Sequence, residues 1–137
     1  MLTLTLHLYD DSANPLRQYA CRNTNQPGIV YTHVASRQDV INEIGRIRRL
    51  GLLVELWLHL HGSPGVVRTQ SVLLQSFAFD ASTVYLLRNV CFNAMPALAT
   101  VYWLCSDLGQ GPAGDAFLRA AGPAMLSRGG VLYPRLR

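Results

Sequence analysis

The chain has 137 residues, enough for one domain with its own core, and half of them are hydrophobic against 15% charged, a composition that reads as globular rather than disordered. No apolar run reaches the ~18–20 residues that cross a bilayer, and no basic segment followed by an apolar stretch opens the chain, so a cytoplasmic protein without membrane contact is expected. The net charge of +4 comes from twelve arginines and no lysine; their one cluster, Arg46, Arg48 and Arg49, lacks the interleaved aromatics of a nucleic-acid platform.

In chain order, Leu2 to Leu8 alternates Leu with Thr and His and predicts a strand. Residues 10–27 are rich in Asp, Asn, Pro and Gln and read as an irregular connection. Gly28 to His33 is β-branched and aromatic, a second strand. Ser36 and Asp39 form a capping-box-like pair, followed by Val40, Ile41, Ile44 and Ile47 at helical spacing, with Gly51 as the stop. Leu52 to Leu60 is nearly continuously apolar, as in a parallel strand buried on both faces. Val66 to Phe79 alternates weakly and suggests a hairpin. Asp80 or Ser82 is placed to cap a helix running to about Ala97. Ala99 to Leu104 is a further buried strand, Ala113 to Ala121 a helix, and Gly129 to Tyr133 a last short strand. Strands alternating with helices predict a single α/β domain over residues 1–137, built on a mainly parallel sheet.

Functional groups of such sheets gather beyond the carboxyl ends of the strands. Two polar constellations fall there. In ELWLHLHGSPG, His61 is placed to act as a general base near neutral pH, and Gly62 allows close approach to a backbone donor. A partly exposed histidine before a turn is the plain alternative, and His59, inside the strand, reads as a hydrogen-bonded core group. In TVYWLCSDLGQGPAGDAFL, an apolar strand delivers Cys105 or Ser106 to a glycine-bearing turn and a helix, a plausible nucleophile platform. A buried cysteine at a strand end is equally an ordinary small hydrophobe. Cys21, Cys91 and Cys105 have no CxxC spacing, so reduced thiols are expected, with neither metal nor cofactor.

HLHGSPG and CSDLGQGPAGDAFL together resemble the histidine and nucleophile motifs of bacterial caspase-like (clan CD) cysteine peptidases, nearest to the CHAT peptidases and a related domain of bacterial surface proteins. The resemblance covers roughly Leu52 to Leu132 and implies a three-layer caspase-like sandwich. It also implies a His–Cys dyad that hydrolyses peptide bonds, with the backbone of Gly62 and of the nucleophile holding the oxyanion. Aligned without a gap, the downstream motif puts Ser106 at the nucleophile position; Cys105 takes it only with one extra residue in the turn. Alternation makes the choice exclusive. A serine there implies an inactivated Cys→Ser form or a pseudoenzyme, with a true serine hydrolase third. Protein or peptide substrates and a regulatory protein partner follow from the resemblance. Asp107 and Asp115 are candidates to bind a basic substrate side chain, or else order the turn and the first helical turn. The rival readings are a catalytically dead module that binds a protein, and an unrelated α/β binding domain. Gly62→Val is expected to abolish activity with the fold largely intact.

Overall fold

The computed structural model describes residues 2–10, 27–69 and 77–135. The expected irregular connection at 11–26, with Cys21, lies outside them. Five strands form one parallel sheet: β1 (Thr3–Tyr9), β2 (Ile29–His33), β3 (Leu52–His59), β7 (Ala99–Leu104) and β8 (Gly130–Tyr133), in the order β2-β1-β3-β7-β8. Between β3 and β7, the short strands β4 (His61–Ser63), β5 (Val66–Arg68) and β6 (Phe77–Asp80) make a small antiparallel sheet, which realises the expected hairpin.

Helix α1 (Arg37–Ile47) starts where its caps direct. Ser36 Oγ accepts the Asp39 N–H at 3.1 Å, and Asp39 Oδ2 reaches back to the Ala35 N–H at 2.8 Å. Gly51 serves a different purpose from the expected helix stop. A Cβ there would lie 2.3 Å from the Leu2 carbonyl oxygen, so the residue must be small to let β1 and β3 begin side by side. The helix expected over residues 80–97 is two pieces, a 3₁₀ turn (Val84–Leu87) and α2 (Arg88–Ala94). Asp80, not Ser82, organises its entry: its carboxylate accepts from the Ser82 N–H and from both the Ser82 and Thr83 hydroxyls. Helix α3 (Gly111–Met125) is longer than expected at both ends. Pro112 opens it, where a missing N–H costs nothing, and Pro123 is held in its last turn.

The steps β2 to β3, β3 to β7 and β7 to β8 all run the same way along the sheet, so right-handed connections bring α1, α2 and α3 to one face. There Val40, Ile44, Ile47, Cys91, Phe117 and Ala121 meet Leu4, Leu6, Leu8, Leu56, Leu58 and Val101 in one core. Trp103 lies at its centre, edge-on to both Phe79 and Phe117. A register shift between Leu4 and Thr5 against β3 lets Leu53 and Leu56, three residues apart, both face this core.

The other face differs. β3 is not buried on both sides as its composition suggested: Leu53, Leu56 and Leu58 are buried, while Leu52, Val54, Glu55 and Trp57 are half-buried. Tyr31, His7, Trp57, Tyr102 and Tyr133 are register partners on five successive strands and form one aromatic row across the sheet. Their rings stack at centroid distances of 5.0, 5.2, 3.9 and 5.1 Å. The Trp57 indole N–H donates to the Glu55 carboxylate on the same face. None of the helices in the described residues is long and apolar enough to cross a membrane.

Candidate functional site

Strands β3 and β7 are adjacent and parallel, with His59 opposite Leu104. The segments that follow them, Leu60–Ser63 and Cys105–Gln110, therefore leave the same edge of the sheet side by side, as the two-motif reading requires. Alternation then separates Cys105 from Ser106. Ala99, Val101, Trp103 and Cys105 are buried on the helix-covered face, and Ser106 is exposed. Cys105 is 6% accessible, and burial pushes its thiol up to about 12, opposed by a backbone hydrogen bond from Leu60. It is a protonated core thiol at neutral pH, like Cys91, which burial also pushes up to about 12. Ser106 is the member of the pair that meets solvent. His61, half-buried, opens β4 opposite Arg68.

Three glycines bind the two motifs into one unit. A Cβ on Gly62 would stand 2.6 Å from the Ser106 carbonyl oxygen and 2.7 Å from the Cys105 Cβ. Gly65, at φ +72°, donates its N–H to the Leu108 carbonyl at 2.9 Å, and a Cβ there would meet the Ala113 oxygen at 2.4 Å. A Cβ on Gly114 would lie 2.3 Å from the Gly109 carbonyl carbon, so α3 starts directly beneath the turn. The expectation that Gly62→Val spares the fold is corrected by these distances. The valine would displace backbone, which yields far less readily than a flexible side chain.

The turn itself is held by Asp107. Its φ of +58° is a conformation that Asp tolerates better than most residues, and its Oδ1 accepts from Gln110 Nε2 at 3.0 Å. The Gln110 N–H donates to the Asp107 carbonyl at 3.1 Å. Residues 105–110, with Pro134 and Arg135 beyond β8, line a cleft of about 400 Å³. Asp107 is thus at the cleft. Asp115 lies on the exposed side of α3, bonded to Arg119 at 3.0 Å, and does not line the cleft. The described residues contain no cluster of three or more His, Cys, Asp or Glu arranged to hold a metal ion.

Behind the site, His59 is buried as a core histidine, and its Nε2 hydrogen-bonds His7 Nδ1 at 2.9 Å. Burial lowers His7 to about 4, so its ring is neutral at pH 7. Sequence reading missed both this pair and the cleft contribution of Arg135. A signal for the pair existed: every one of the five sheet strands carries an aromatic or imidazole ring. Arg135 had none, because nothing local ties it to Ser106. Compared with protein families, curated proteins and solved structures, the chain matches none.

Proposed function

We propose that this chain is a caspase-like peptidase domain, whose three-layer form would need a further layer on the aromatic face, since the three helices of the described residues all cover the other. In this reading His61 and position 106 form the dyad, and Ser106 makes the domain a peptide-binding module with little or no hydrolytic activity. The observation that carries this reading is the contact of Gly62 with the Cys105–Ser106 peptide across adjacent parallel strands, with Ser106 alone of the pair exposed at the cleft. With a cysteine at position 106, the thiolate would attack the scissile carbonyl carbon, forming a C–S bond, and His61 would protonate the departing amine. The backbone N–H groups of Gly62 and residue 106 would hold the oxyanion. A serine hydroxyl ionises far less readily than a thiol and needs a base that is itself oriented, so the same arrangement binds better than it cleaves.

The catalytically dead module that binds a protein is supported by the same burial of Cys105, so that among the described residues the cleft has no exposed thiol. Asp107 and Arg135 offer it opposite charges for recognising a polypeptide. The test is Ser106→Cys exposed to an electrophilic peptide. Rapid covalent labelling that is lost in Ser106→Cys/His61→Ala supports a dyad. Labelling no faster than that of a free cysteine, or unaffected by His61→Ala, removes the peptidase reading.

A further inference from the structure

The edge of the sheet opposite the cleft carries protruding apolar side chains set among arginines. Leu98, the residue before β7, is 79% exposed and sits at φ +64°, a left-handed conformation unfavourable for a leucine. Glycine or asparagine would relieve that strain, yet the chain keeps a large apolar group there and leaves it in water. Leu50, in the turn before β3, is 51% exposed, and Phe92 on α2 is 46% exposed. Leu98 and Phe92 are linked through the turn before β8. The Leu98 N–H donates to the Gly129 carbonyl at 3.2 Å, and the Arg128 guanidinium lies 4.1 Å over the Phe92 ring.

Among the described residues, the charge left without an opposite partner on this edge is positive. Arg48 and Arg49 are exposed beside Leu50, with no carboxylate partner among the described residues, and Arg46 already engages Glu43 at 2.8 Å. Towards the other edge, Asp10 and Asp107 follow strands, Asp39 lies in the first turn of α1, and Asp115 lies in the amino-terminal half of α3. The crevice beside Phe92, lined also by Met95, Met125 and Arg128, encloses essentially no volume and gives a folded partner's side chain no seat there. A fluid acyl layer accepts protruding leucine and phenylalanine without pockets, and guanidinium groups pair with lipid phosphates.

The expectation of no membrane contact rested on the lack of a bilayer-spanning run; against it, we infer that the amino-terminal edge of the sheet docks peripherally on an anionic phospholipid surface, with Leu98, Leu50 and Phe92 inserted and Arg48, Arg49 and Arg128 on the headgroups. In that orientation the Ser106 cleft faces away from the lipid. Sedimentation of the full chain with vesicles tests it, using phosphatidylcholine alone or phosphatidylcholine with one third phosphatidylserine. Binding is expected only to the anionic vesicles and should weaken several-fold as salt rises. Leu98→Gly should lower it about ten-fold, with a melting temperature no lower than the parent's because the strain is relieved. Arg48→Gln/Arg49→Gln should lower it about five-fold for each charge removed. No binding to anionic vesicles at low salt, equal binding to neutral ones, or binding unchanged in Leu98→Gly would overturn the inference. So would self-association of the parent that Leu98→Asp abolishes, because it would assign this edge to a second copy.

Discussion

The two faces of the five-stranded sheet solve the same backbone problem with different chemistry. One is aliphatic, filled by Leu6, Leu8, Leu56, Leu58 and Val101 against the three helices. The other carries Tyr31, His7, Trp57, Tyr102 and Tyr133 in a single stacked row. The aliphatic face gains stability by removing side chains from water, so its members are nearly inaccessible. On the aromatic face, rings lean on their cross-strand partners and keep polar edges available. The contrast decides which residue can react. Cys105 belongs to the aliphatic face and has a core thiol's properties; Ser106, one residue on, does not.

Several substitutions can break or sharpen this contrast. Leu56→Ala removes a fully buried core side chain and should cost about 3 kcal/mol in urea unfolding. Gly62→Val should approach the same size, about 3 kcal/mol, because it forces the HGSPG hairpin off the Cys105–Ser106 peptide. Tyr102→Ala, which unstacks Trp57 from the row, should cost less, about 1–2 kcal/mol. A loss for Tyr102→Ala equal to that for Leu56→Ala would mean the aromatic face is as much a core as the aliphatic one.

The histidines add a pH dependence to the aromatic face alone. His7 is held near 4 when folded, against about 6.5 in an unfolded chain, so between these values the unfolded state binds the extra proton. Its contribution is complete above pH ~6.5 and is lost as the pH falls towards 4. Urea midpoints should therefore fall from pH 7 to pH 4.5, and His7→Gln should flatten the slope. An unchanged slope in His7→Gln would place the acid sensitivity elsewhere. The smallest effect expected is at position 106, where Ser106→Ala should change stability by no more than about 0.5 kcal/mol, as for other exposed residues.

Much of the sheet was legible because its strands carry their own period. Leu2 to Leu8, Gly28 to His33 and Ala99 to Leu104 were located to within a residue or two, and Ser36 marked the start of α1. The separation of Cys105 from Ser106 was equally legible, since alternation is a local rule. What escaped depends on register between distant segments. The aromatic row exists only once five strands are aligned. The reason for Gly62 is a backbone 44 positions away, which no local reading of HGSPG reveals. The full length of α3 escaped as well: the expected helix ends at Ala121, whereas α3 continues through Pro123 in its last turn to Met125.

The most direct test of this account is site-resolved alkylation of the native chain with iodoacetamide, followed by mass spectrometry of each cysteine. Cys105 should stay unmodified for as long as the fold persists, at a rate matching that of buried Cys91, while Ser106→Cys adds a site that is modified rapidly. Fast modification of Cys105 in the parent chain, abolished by Cys105→Ala, would contradict the assignment. It would show that the thiol, not the serine, faces the cleft.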